Sequence, residues 1–294
     1  MVKKSIAVVG VALMLHGYAQ AADSGSGAAS AQADHAGTWA AAAQLGLIVT
    51  SANTTTKSGN ASIDVAHKMG RWTLSGGLRG LYASTGHYTT QQDTSAHLQA
   101  DLELSPRTFW FSSARWDRNL FTGFSYQASV ASGGGFKFVQ SRSTLLAAEL
   151  GAGYRVERPE VLTIGTFGNV ETRTHVPGSM QRNAVLQAGA NYSHSITHLT
   201  KIVNTLLVQY GTNDTTTTDD LSVQVKIDAS LALAVGVQLV NNTNPPAAVI
   251  VNPAEGSVKH TDTVFTVNLV YNLKNAKLSP TAGTPVAVNG FNLP

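Results

Sequence analysis

The chain has 294 residues, 20 basic and 17 acidic side chains, a net charge of +3 and no cysteine. Charged residues make up 13%, against about 25% in an ordinary soluble domain. These values exclude a disulfide framework and thiol chemistry. No clustered basic stripe is present, which argues against nucleic-acid binding.

The first residues read as an export signal. Lys3 and Lys4 precede a short apolar run, Ser5 to Leu15, and Ala19-Gln20-Ala21 supplies a small-x-small cleavage pattern. Residues 1–21 are therefore expected to be a signal peptide cleaved after Ala21. The run is too short to span a bilayer as a helix, which takes about 20 residues, and the rest of the chain offers no apolar run of that length. Residues 22–38 are rich in Ala, Ser and Gly and read as a flexible periplasmic lead-in.

From Trp39 onward, apolar and polar residues alternate with period two, the mark of strands with unlike faces. The candidates, in chain order, are 39–50, 57–69, 71–84, 93–105, 107–118, 122–138, 142–157, 180–194, 198–211, 218–228, 230–242 and 259–273. In the fourth, Ala96, Leu98, Ala100, Leu102 and Leu104 alternate with Ser95, His97, Gln99, Asp101 and Glu103. In the tenth, Leu221, Val223, Val225 and Ile227 alternate with Ser222, Gln224, Lys226 and Asp228. Each candidate can cross a bilayer as a tilted strand, for which about 9–11 residues suffice. Residues 274–294, with Pro280, Pro285 and Pro294, read as a disordered periplasmic tail.

Connections alternate in length. Gly70, Ser105-Pro106, Ser141-Arg142, Ser195-Ile196-Thr197 and Ala229 mark tight turns. SANTTT, TGHYTTQQ, TNDTTTT, Arg158 to Ser179 and Asn242 to Val258 mark longer polar loops. The predicted fold is all-β: a transmembrane antiparallel up-and-down barrel of about twelve strands over 39–273, with a polar lumen, short periplasmic turns and long extracellular loops. Closure is required because an unpaired backbone group in hydrocarbon costs several kcal/mol.

Aromatic residues sort to the strand ends. Trp39, Trp72, Trp110, Phe138, Tyr192 and Tyr271 fall near the periplasmic ends, and Tyr82, Trp116, Tyr126, Tyr154 and Tyr210 near the outer ends. They are expected to form two interfacial girdles. By parity, Asp64, Lys68, Arg79, Asp101, Glu103, Arg115, Asp117, Glu149, Arg155, Lys201, Lys226 and Asp228 face the lumen. Both signs are represented, where a strongly selective pore tends to show one. Inward Gly133, Gly135, Gly151, Gly153 and Gly189 leave room, either for a path or for Phe109 and Phe111, whose parity also points inward.

Five segments, LGLIVTSANTTTKSGNASID, RWTLSGGLRGLYAS, RWDRNLFTGFSYQ, GAGYR and KHTDTVFTVNLVYNL, resemble the YdiY-like salt-induced outer membrane protein family, a group of unknown function. The resemblance covers about residues 39–273 with gaps. It implies a membrane barrel and no catalytic residues. Members usually end on an aromatic residue at the last strand, whereas residues 275–294 follow here, and the loop from Asn242 to Val258 is longer than usual.

No metalloprotease, phosphate-loop, dinucleotide or nucleophile-elbow motif occurs. His194 and His198 flank a turn without the further ligands that a metal needs. Asp214, Asp219, Asp220, His87 and His175 are placed in outer loops. No enzyme, catalytic residue, metal or cofactor is expected. The leading expectation is a structural barrel or narrow, weakly selective diffusion channel of the bacterial outer membrane. A surface binding module (adhesin or phage receptor) is the alternative, and an outer-membrane hydrolase comes third. Expected partners are outer-membrane lipid and lipopolysaccharide, the barrel-insertion machinery and small solutes or ions.

Overall fold

A computed structural model describes residues 38–51, 55–85, 88–119, 124–167, 170–245 and 260–274. The expected signal peptide, almost all of the lead-in and the tail lie outside the described residues. So do His87 and the loop from 246 to 259.

Thirteen strands are present: β1 Thr38–Ser51, β2 Thr55–Met69, β3 Trp72–Thr85, β4 Tyr88–Glu103, β5 Thr108–Asn119, β6 Phe124–Gln140, β7 Thr144–Phe167, β8 Val170–Pro177, β9 Gln181–Ser195, β10 Thr200–Gly211, β11 Thr215–Lys226, β12 Leu231–Asn242 and β13 Thr261–Lys274. Neighbours in sequence pair antiparallel, β1 pairs β13, and the β6–β7 and β7–β9 ladders complete the ring. Twelve strands thus form a closed barrel. Closure joins the two outermost strands of the sheet, through a β1–β13 ladder that runs from Ala40 with Lys274 to Leu45 with Leu269.

β8 is the exception. It pairs only with the end of β7, from Glu160 with Pro177 to Phe167 with Val170, as a hairpin continuing past the barrel. The stretch from Arg158 to Ser179, expected as a loop, is therefore largely paired. The TNDTTTT stretch also differs from expectation. Gly211 N–H donates to the Asp214 carbonyl at 2.9 Å, and β11 already begins at Thr215. Likewise β4 begins at Tyr88, inside the expected TGHYTTQQ loop. Threonine explains much of this: its β-branch restricts χ1 and suits an extended, paired backbone. Polar composition alone misread these strand ends as loops.

Alternation in burial follows alternation in sequence. Along β5, Phe109 and Phe111 are buried while Trp110, Ser112, Ala114 and Trp116 are exposed. Leu47 at 74% and Phe265 at 76% exposure typify an outer surface studded with large apolar side chains. Such a contiguous apolar belt is incompatible with water and is the surface a barrel presents to acyl chains. The girdle aromatics Trp39, Trp72, Trp110, Trp116, Phe138, Tyr82, Tyr154, Tyr192, Tyr210 and Tyr271 all lie on this exposed surface, with Tyr126 half-buried. Trp39 stacks on His67 at 3.9 Å, and Phe136 meets Phe138 edge-on at 5.1 Å.

Candidate functional site: the barrel lumen

The inward side chains form three tiers along the axis. At the short-turn end, Glu103 on β4 lies between Lys68 on β2 and Lys137 on β6, at 3.6 and 3.1 Å. Glu149 and Asp101 both accept from Gln99, at 3.2 and 2.9 Å. Asp64 is buried and, with His97, fills the space above Gly77.

Midway, Arg79 on β3 reaches Asp220 on β11 at 3.4 Å, and Gln238 donates to the same Asp220 oxygen at 2.9 Å. Arg115 pairs with Asp117 along β5 at 2.6 Å, and Asp93 accepts from Asn119 at 3.3 Å. Gln209 on β10 donates to Ser129 on β6 and to Gln187 on β9, each at 3.1 Å.

At the long-loop end, Arg155 is buried at 1% exposure between Glu157, at 3.1 Å, and Asp214, and also donates to Thr216 at 3.2 Å. Gln127 and Asn183 donate to Glu157 at 3.3 and 3.2 Å, and Asn242 donates to Asp214 at 3.1 Å. Buried charges persist only when paired and hydrogen-bonded in this way.

Many of these links join strands that are not neighbours, so they cross the interior as chords. Among the described residues, two small cavities lie between these chords. One, of about 130 Å³, is bounded by His97, Gln99, Asp101, Arg115, Glu149 and Asp220 among others. The second, of about 70 Å³, is bounded by Arg79, Asp220 and the amides of Gln44, Asn60, Gln238 and Asn268. Asp220 and Thr205 line both, so the Arg79–Asp220 pair stands at the partition. Spaces of this size accept waters and small ions, whereas a drug-sized ligand needs about 300–1,000 Å³.

The wall is unequal around its circumference. Charges concentrate on β2 to β7 and β11. At the β1–β13 seam a neutral ladder replaces them, reaching Asn60 on β2: Asn60 donates to Asn268 at 2.8 Å, and Asn268 donates to Gln44 at 3.3 Å.

Most parity-assigned charges sit inside this wall. Lys201 lies on its inward face at the short-turn rim, and Lys226 is exposed there. Asp228 is not in the lumen. It lies in the β11–β12 turn, where its carboxylate accepts from Ser230 N–H at 2.7 Å and Leu231 N–H at 2.8 Å. Those donors hold its pKa below the usual carboxylate value. The turn ends alternation after Lys226, so parity was carried two residues too far.

Two of the acids first assigned to an outer loop are corrected as well: both lie within β11, where Asp220 is a lumen group and Asp219 faces outward, accepting from Asn204 at 2.6 Å. Asp214 does lie in the outer β10–β11 turn, buried at the mouth. Lys137, Glu157 and Asp93 are further lumen charges. Each lies within an expected strand and has the parity of an inward neighbour (Gly135, Arg155 and Ser95), so the alternation already pointed to them although they were not assigned. Asp214 sits in a turn, where no periodicity reaches.

The inward glycines are accounted for. A Cβ on Gly135 would strike the Phe109 ring, and one on Gly151 would lie 2.7 Å from Phe111 Cζ. Phe111 is fully buried at 0% exposure, and Phe109 and Ala131 pack with it. Gly135 and Gly151 thus make room for phenylalanines, whereas Gly133 and Gly153 approach the backbone of the paired strand and Gly189 meets the Glu149 side chain. His194 Nδ1 meets Thr144 Oγ1 at 2.8 Å, and no metal-ligating cluster of three occurs among the described residues.

A closed antiparallel sheet with an apolar outer belt, two aromatic girdles and a charged interior defines a transmembrane β-barrel of the outer-membrane class. The chain belongs to the DUF481 family, described as a protein of unknown function, which matches residues 43–273. No curated protein sequence matches it. Among solved structures, it is similar to the translocator domain of autotransporter NalP from Neisseria meningitidis, with 10% identity and TM-score 0.43, covering 83% of this chain and 90% of that one. It is also similar to the NanC porin, with 8% identity and TM-score 0.45, covering 79% and 100%. The COG4313 outer membrane channel from Pseudomonas putida F1 shares 11% identity and TM-score 0.43, covering 80% and 94%. These likenesses concern the barrel fold alone.

Proposed function

We propose that this protein is a narrow, weakly selective conduit for water and small ions in the bacterial outer membrane. The observation that carries this reading is the division of the lumen into two small polar cavities at the Arg79–Asp220 pair. A wide porin would have an open water channel. A purely structural plug would have no reason to retain polar space on both sides of one partly hydrated ion pair. Paired charges of both signs favour weak selectivity, because neither cation nor anion meets a ring of one sign.

The test is single-channel recording of the refolded protein in planar bilayers. Small conductance steps with little preference between cations and anions are expected. Silence of the wild type and of R79A/D220A in every salt would overturn the proposal and leave a structural barrel.

A further inference from the structure

The outer surface carries a second feature, apart from the lumen. Three arginines face outward at the long-loop end of neighbouring strands. Arg118 on β5 shares the parity of Trp116 and Ala114, Arg158 on β7 that of Tyr154 and Val156, and Arg182 on β9 that of Leu186. All three are exposed, and among the described residues none is in an ion pair. Arg158 Nε donates to the Gly178 carbonyl at 3.2 Å, and Arg182 contacts Met180 Sδ at 3.7 Å.

Register brings them together. Tyr126 on β6 pairs with Arg158, and Val156 pairs with Arg182. One strand, β6, separates Arg118 from Arg158, and two strand spacings amount to about 10 Å. The outward acid Asp219 lies on β11 and is held by Asn204, so among the described side chains this rim is basic alone.

Directly inward of the rim, the lipid face is indented. A groove of about 330 Å³ starts beside Trp116 and Tyr154 and passes Ala96, Ala114 and Ala128. It continues as one of about 700 Å³ floored by Ala100, Ser112, Ala114, Ser132 and Ala152. The floor is chemically quiet despite its serines. Ser112 and Ser132 hydrogen-bond each other at 2.8 Å, Trp110 Nε1 donates to Ser132 at 2.9 Å, and Ser132 also meets the Phe111 carbonyl at 2.8 Å. An acyl chain would meet small side chains and satisfied hydroxyls there.

We propose that Arg118, Arg158 and Arg182 bind the phosphates of a phosphorylated glycolipid of the outer leaflet, the lipid A part of lipopolysaccharide, with an acyl chain lying in the groove below. Guanidinium groups bind phosphate by paired, charge-assisted hydrogen bonds. Their height just above the aromatic girdle is the height of a lipid headgroup. The proposal rests on the long-loop end facing outward and is independent of conduction, so a silent channel would leave it untouched.

The test is binding of diphosphoryl lipid A to the full refolded chain in detergent, read by native mass spectrometry. Wild type should retain lipid A in preference to phosphatidylglycerol. R118A/R158A/R182A should bind it about a hundredfold more weakly, and A114F/A152F should also weaken it with every arginine present. Heat-modifiable migration on a gel reports folding of each variant. Equal retention of phosphatidylglycerol, unchanged binding by the triple variant, or full competition by an equal concentration of inorganic phosphate would each overturn the lipid A site.

Discussion

Arg79 on β3 and Asp220 on β11 meet across the lumen at 3.4 Å, and Gln238 on β12 donates to the same carboxylate oxygen at 2.9 Å. Both side chains are about one-third exposed, so the pair remains hydrated rather than sealed. R79A should raise conductance several-fold and shift reversal potentials toward cations, because Asp220 then loses its ion-pair partner. D220N should shift them toward anions. Identical reversal potentials in both variants would show that ions do not pass this pair.

The packing of Phe109 against Gly135 is a steric dependence with a measurable sign. G135V should destabilise the barrel by about 1–3 kcal/mol through overpacking. Adding F109A should make the double variant more stable than the sum of the two losses, since the removed ring vacates the site of the clash. Urea unfolding in lipid vesicles gives the three values, and simple additivity would argue against direct contact.

Arg155 holds two acids that have left water. R155A leaves Glu157 and Asp214 facing each other at the mouth, and a loss of about 3–5 kcal/mol is expected. Neutralising the acids as well, in R155A/E157Q/D214N, should recover much of that loss. If the triple variant is no more stable than R155A, the penalty comes from lost packing rather than from stranded charge.

Parity itself can be tested on adjacent residues of β4. Leu98 points to lipid, and Leu98→Arg should cost about 2–4 kcal/mol. Gln99 points inward, between Asp101 and Glu149, where an added cation has two carboxylates to meet. Gln99→Arg should therefore be tolerated far better, as judged by folding yield and urea midpoint.

Asp228 offers a pH-dependent effect outside the membrane. Its folded-state pKa is lowered by the Ser230 and Leu231 amides. Its contribution is therefore complete above the free Asp value of about 3.9 and is lost as pH falls through the lower folded value. Amide exchange at Ser230 and Leu231 should quicken in D228A at neutral pH. Wild type should approach that behaviour as pH falls below the usual Asp range.

Much of this protein was readable one residue at a time. Period two placed Leu98 outward and Asp101 inward, and it assigned Arg155 and Glu149 to the interior, because a strand has only two faces and one of them must suit lipid. The same rule covers Lys137 and Glu157, which lie within the expected strands 122–138 and 142–157 but were not assigned to the lumen. It stopped at turns: Asp228 and Asp214 lie where alternation ends, and their hydrogen bonds depend on local chain reversal. The tertiary structure alone decided which inward groups meet. Arg79 finds Asp220 across 141 positions of sequence, Phe109 finds Gly135, and three outward arginines share one rim. Such pairings follow from ring closure and strand stagger, which are collective properties of twelve ladders, and no single strand encodes them.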